Sequence, residues 1–436
     1  MSRRSGERPQ NLWRGRSGCD CLGGPQVNAS IPSHPSSKVV SRPGATWVAM
    51  ALGASLFAGA IPGHAAGPKD GFRSLFNGRD LKGWVNVNCA PETWSAKDGV
   101  IHCTGRPTGA LRTVRQYENF ELELDWRHLS VGGNAGIFIW ASPVAAPGVP
   151  FLRAIEVQVL DHGYNDPGKN QWYTTHGDVF PIHGSSMKPF GRHSGMRSFP
   201  GSEHGKGSPE WNHYRIVATN GVLRLSVNGF EVSGGGECNY RKGYIGLESE
   251  GAPVEFRNIR LLELPSGQAT PEVTAPLDPT WRNLFTGLDL RGWKTNAAVA
   301  AHWSVGGEHL HAMGPVASSA DRAESILWTA RPYRDAEWMF DANPAKPAEG
   351  APVPQPVAWI RGADGKGTEV HLPTATPGRH QRYAVRVLGR AVTVFRDGVP
   401  LEQWTLPENA PKGGEFGLSA VGGKVDFMNL YVRDAR

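Results

Sequence analysis

The sequence predicts an all-β protein of two related β-sandwich domains in tandem, and three observations carry that expectation. From residue 67 onward no long segment has helical apolar periodicity, while short runs alternate between apolar and polar residues. Gly 55 and Pro 34 are scattered between those runs as turn punctuation, not gathered into low-complexity tracts. The chain also repeats itself: residues 72–84 (FRSLFNGRDLKGW) return as 281–293 (WRNLFTGLDLRGW), 209 positions later.

Each element follows from its pattern. In 120–126, Phe120, Leu122, Leu124 and Trp126 face one way and Glu121, Glu123 and Asp125 the other, as in a half-buried strand. Residues 222–232 read as two short strands around the turn Asn228-Gly229. Residues 117–126 (YENFELELDW) recur as 333–342 (YRDAEWMFDA), and 243–259 (GYIGLESEGAPVEFRNI) as 414–430 (GEFGLSAVGGKVDFMNL). The organisation is therefore a leader over 1–66, a first sandwich over 67–265, a Pro-rich linker over 266–279 and a degenerate second sandwich over 280–436. The linker, polar and poor in aromatics, reads as an extended spacer.

Charge and cysteines narrow the class. Of the net charge of +6, residues 1–66 carry +5 and residues 67–436 only +1. No clustered basic stripe is left on the folded part, which excludes nucleic acid as a partner. The basic leader runs into an apolar stretch at 47–61 (WVAMALGASLFAGAI) and then Ala65-Ala66, the form of a secretory signal. At 15 residues the stretch is short for a span, so the expectation is cleavage, no stable membrane insertion and a periplasmic or secreted product. Cys19 and Cys21 leave with the leader. Cys89, Cys103 and Cys238 match no zinc spacing. Cys89 and Cys103 flank one hairpin, and a disulfide or two buried thiols both fit.

Function is expected in the first sandwich, because the second lacks a long loop centred on 161–207. That loop holds Trp172, Tyr173, Phe180, Phe190 and Phe199 with five of the chain's 15 histidines, an aromatic density that argues for order. The strand before it, AIEVQVLD at 154–161, puts Glu156 and Gln158 on one face and Ile155, Val157 and Val159 on the other. Asp161 and His162 follow at the loop's start. In 132–140, Asn134 suits a sugar hydroxyl and Trp140 a pyranose ring. His176 and Asp178 in the loop fit a metal ion or an acid–base pair. Glu248 and Glu250, two apart at a strand end, would raise each other's pKa, as acid–base work requires.

The blocks LFNGRDLKGW at 75–84, NAGIF at 134–138, EVQVLD at 156–161, PEWNHYR at 209–215 and GYIGLESEG at 243–251 occur in an order that resembles the 3-keto-disaccharide hydrolase domain family. The resemblance covers about residues 70–264. It implies a concanavalin A-like jelly-roll sandwich with a small carbohydrate substrate on its concave sheet. It also places Asn134, Glu156, Gln158, Asp161 and Glu248 on the family's motif positions. A ketone at C3 acidifies the C2 hydrogen, so a base can remove it and the enolate can expel the C1 aglycone. Water then adds, and the net reaction is hydrolysis. The expected base is Glu156 or His176, with Gln158 and Asn134 as donors and Glu248 or Glu250 as acid. His162 and Trp172 join the expected substrate contacts. A divalent metal ion on His176 and Asp178 is an alternative holder of the enolate. Three other readings stay open: a two-carboxylate glycosidase acting on an intact acetal, a non-catalytic carbohydrate-binding protein, and a surface protein whose sandwiches present loops.

Overall fold

The Phe120–His128 strand shows how alternation becomes a layer. Phe120, Leu122, Leu124 and Trp126 are buried, and the residues between them turn outward. The outward acids meet cations on adjacent strands: Arg215 Nε donates to Glu121 at 2.5 Å and Arg260 Nε to Glu123 at 2.7 Å. Such part-exposed pairs contribute about 0–1 kcal/mol each. Truncating a core residue such as Trp126 costs about 3–5 kcal/mol. The inward face therefore holds the layer together.

The computed structural model describes residues 71–164, 176–278, 280–314 and 323–435; the leader with Cys19 and Cys21, Trp172 and Tyr173 lie outside them. The first sandwich pairs two antiparallel sheets. One runs Ser186–Pro189, Phe230–Asn239, Val222–Val227, Asn212–Thr219, Phe120–His128, Val254–Glu263, Val100–Cys103, Trp94–Lys97, with Arg73–Ser74 alongside Val254–Glu263. The other runs His193–Ser194, Arg197–Ser198, Val179–Ile182, Ala154–Leu160, Asn134–Ala141, Tyr244–Ser249, Gly109–Thr113, Trp84–Val87.

The second sandwich uses the same order. Its larger sheet runs Trp303–Gly306, His309–Met313, Lys424–Asp434, Ala336–Pro344, Gln381–Leu388, Ala391–Arg396, Val399–Thr405, with Arg282–Asn283 beside Lys424–Asp434. Its smaller sheet is Leu327–Trp328, Glu415–Val421, Gln355–Ala363, Lys366–Val370. The fold is thus all-β, two jelly-roll sandwiches in tandem. Each has its own apolar core, and a third cluster joins Phe138, Leu152 and Tyr244 of the first to Trp281, Met339 and Tyr431 of the second.

One expectation changes and one open alternative is decided. The linker is no free spacer: Arg241 N donates to Val273 O, Ala275 N to Lys242 O and Ala269 N to Glu118, which strap it to the first sandwich. Its last residue, Pro279, lies outside the described residues. Cys89, Cys103 and Cys238 are all buried free thiols. Among the described residues no helix is long and apolar enough to cross a membrane.

Candidate active site

Strands Asn134–Ala141, Ala154–Leu160 and Tyr244–Ser249 lie close together in one sheet, with Asn134–Ala141 in the middle. Ile155, Val157 and Val159 enter the core, while Glu156 and Gln158 line a pocket on the other face. Register sets Gly136 opposite Gln158, Phe138 opposite Glu156 and Leu247 opposite Ile137, so Glu248 falls beside Gly136. The glycine is required by space. A Cβ there would stand 2.8 Å from a carboxylate oxygen of both Glu156 and Glu248. Glu250, just past the strand end, completes three carboxylates in a cavity of about 270 Å³. Asn134, Gln158, Arg197, Phe151, Phe180 and His183 share the lining.

Taking these acids out of water raises all three. Burial, then the neighbouring Glu250, pushes Glu156 up to about 8, against the pull of Arg197. Burial pushes Glu250 up to about 7. Burial, reinforced by Glu156 and Glu250, holds Glu248 well above the usual carboxylate range. Its Oε2 is buried without a hydrogen-bond partner, a state that costs several kcal/mol if charged. Burial without a partner therefore favours the protonated form of Glu248. The cluster gives up its protons as a unit, the first near neutrality.

The polar neighbours aim this cluster. Gln158 Nε2 donates to Asn134 Oδ1 at 2.8 Å and Ala135 O at 3.2 Å, and Asn134 Nδ2 donates to Glu250 at 2.6 Å. The amides expected as substrate donors are thus committed to positioning Glu250. Arg197 Nη1 donates to the fully buried Asp178 at 2.8 Å, and its guanidinium lies 3.3 Å from the Phe180 ring centroid. Phe180 is register partner to Glu156, so its strand pattern was a usable signal. Arg197 comes from a stretch without periodicity, which offered none.

Other expected residues lie elsewhere. Trp140 is fully buried, packs edge-on to Phe120 and donates from Nε1 to Glu118 O at 2.8 Å. Its rings serve the core, and no face is offered to a sugar. Burial alone would raise Asp161, but the amides of Gly132, Gly163 and Ser208 outweigh it and hold the carboxylate below its ordinary range. Asp161 therefore ties three loops together. His176 is buried and does not line the pocket. Burial holds it below the ordinary imidazole range, against the pull of Glu203. Asp178 faces Arg197, and the groups gathered at His176 are Glu203 at 2.7 Å and the stacked ring of His162. Those three, His162, His176 and Glu203, are the described residues placed to hold a metal ion, in place of the expected His176 and Asp178. Trp172 lies outside the described residues.

The chain is similar to several known proteins. A 3-keto-disaccharide hydrolase of Bacteroides thetaiotaomicron is 27% identical over 229 residues, 44% of this chain and 78% of that protein. A solved structure from Parabacteroides distasonis, named a candidate glycosyl hydrolase, aligns at 20% identity and a TM-score of 0.35, covering 45% of this chain and 95% of that one. Carbohydrate-binding module CBM66 from Bacillus subtilis aligns at 15% identity and a TM-score of 0.30, over 42% of this chain and 96% of the module. Residues 71–262 match the model of the family described as 3-keto-alpha-glucoside-1,2-lyase-like. That stretch contains Glu156, Glu248 and Glu250 with every strand that carries them, so the likeness to 3-keto-alpha-glucoside-1,2-lyase-like domains falls on the first sandwich.

Proposed function

We propose that the first sandwich cleaves 3-keto-glycosides by elimination and hydration, with the three buried carboxylates supplying base and acid. The observation that carries this reading is their convergence in one pocket at different proton affinities. Glu250, pushed up less than Glu156, accepts from Asn134, so it holds the charge and removes the C2 proton. The electrons of the C2–H bond form the enolate, whose oxygen is met by Arg197 and by Glu156 in its protonated form. Collapse of the enolate breaks the C1–O bond. Glu248, in its protonated form, delivers a proton to the departing oxygen and leaves a C1–C2 enone; water then adds its hydroxyl at C1 and gives its proton to the Glu248 carboxylate, while Glu250 returns its proton to C2 to give the 3-keto sugar. These roles revise the expected ones: Glu156 becomes a donor and Glu250 the base.

The match to a family described by 3-keto-alpha-glucoside chemistry, and the likeness to a relative named for 3-keto-disaccharides, support the choice of substrate. The test incubates the purified chain with a 3-keto-glucoside and its unoxidised parent, following aglycone release. Release from the keto form alone is expected. Release from the parent would replace elimination with a two-carboxylate glycosidase, and no release from either would favour a binding protein. Export belongs to the same reading: N-terminal sequencing of the mature protein is expected to begin after Ala65 or Ala66.

A further inference from the structure

We propose that the second sandwich fixes the loop that carries Phe151 against the first sandwich's pocket and so sets which glycosides fit. This rests on the function proposed above for the pocket. The face that bears Glu156 and Gln158 is divided in two. Toward Asn134 it is polar and open; toward Phe138, Ala154 and Tyr244 it is apolar and covered by Met339, Tyr431 and Trp281 of the second sandwich. Phe151, which lines the pocket, packs against this covered cluster.

At that border the loop 145–152 is clasped by buried polar groups. Asp341, fully buried, accepts from Arg382 Nε at 2.7 Å, from Asn429 Nδ2 at 2.6 Å and from Gly148 N at 2.9 Å. Arg382 Nη2 donates to Ala145 O at 2.8 Å, and Asn429 Nδ2 lies 3.0 and 2.9 Å from the carbonyls of Ala146 and Val149. Ala145 N donates to the Tyr431 hydroxyl at 3.2 Å. Two residues past this clasp, Phe151 stacks on His183 at 5.5 Å, and both rings line the pocket. A buried network so fully paired holds one backbone geometry. Phe151 is then placed by residues nearly 200 to 280 positions further along the chain.

The same device exists without a client. In the first sandwich Asp125 accepts from Asn258 at 2.7 Å and pairs with His213 at 2.9 Å, and Asn258 has φ 52° where Asn429 has φ 53°. There the His213 side chain is 43% exposed. In the second sandwich the trio has become a grip on a neighbour's loop. Asp341, Arg382 and Asn429 are positioning residues, acting through Phe151.

Asn429→Gly keeps the left-handed backbone and removes the bonds to Ala146, Val149 and Asp341 at the centre of the clasp, which makes it the cleanest variant. In the full chain, hydrogen exchange of amides 145–152 is expected to quicken about tenfold, while the Asn134–Ala141 strand is unchanged. On a 3-keto-glucoside, KM is expected to rise about tenfold with kcat within about twofold. Phe151→Ala should do the same, and the double variant should be no worse than the poorer single one. Additive effects, or a folded Asn429→Gly chain with unaltered exchange over 145–152, would overturn the proposal. If the unaltered chain turns over no keto-glycoside, the assigned activity fails; the exchange measurement still decides the clasp.

Discussion

The two sandwiches share a strand order, yet of the three glutamates that meet in the first one's pocket the second keeps a counterpart of Glu156 alone, and the difference comes down to a few positions. In the first, Phe138 pairs with Gly246 and Glu156; in the second, Trp359 pairs with Gly417 and Glu369. Two residues earlier in each strand stand Gly136 and Val357. Val357 pairs with Ser419, which takes the place of Glu248, and Trp359 Nε1 donates to Ser419 at 2.9 Å. Val357 thus puts a side chain where the carboxylates of Glu156 and Glu248 close over Gly136, and a Trp–Ser hydrogen bond takes the place of that contact. Val421 stands where Glu250 would be. A scaffold can be kept while its site is changed by replacing one glycine and two acids.

The strongest way to break the comparison is to impose the second pattern on the first. Gly136→Val is expected to cut aglycone release to below about a thousandth, with the circular dichroism spectrum retained, because the new carbons collide with Glu156 and Glu248. Glu250→Gln should lower kcat about 10²–10⁴-fold. In the unaltered chain kcat/KM should climb with pH through about 7, as the cluster loses its first proton.

A stability measurement sharpens it further. Glu156 and Glu250 keep a proton in the folded chain above pH 4.5, where the unfolded chain has lost it. Their contribution is therefore complete below about 4.5 and is lost as pH rises through 7 to 8. Urea unfolding at pH 8 should show Glu156→Gln more stable than the parent by about 1–3 kcal/mol, with the gap closing at pH 4. The effect must be absent for Glu369→Gln, which should also leave turnover within about twofold.

The smallest expected effect concerns metal. His162, His176 and Glu203 lie outside the pocket lining, so EDTA should change the rate by less than about twofold. A tenfold loss would bring that cluster into the reaction.

How much was legible in the sequence varies with the physics involved. Alternation in 120–126 and 154–160 follows from side chains pointing to opposite faces, so the sheets and the facing of Glu156 and Gln158 could be read directly. Glu248 and Glu250 were findable from their spacing. Trp140 was misplaced because it has φ 54° at a sheet irregularity, where period-two reasoning fails. Arg197 was missed because its approach to Asp178 depends on a long excursion of the chain. That Asn134 and Gln158 bond one another is a matter of cross-strand geometry, invisible in a linear string.

The strapped linker has a consequence for how this protein is taken apart. A protease needs several residues of extended, released backbone, and here the joint between the sandwiches is bonded down at Val273, Ala275 and Ala269. Cutting at the joint would also bare the apolar face around Phe138 and Tyr244. Limited digestion should therefore not release two durable halves. Expressed alone, the first sandwich would carry an adhesive patch beside its pocket, so the practical unit for expression and crystallisation spans both.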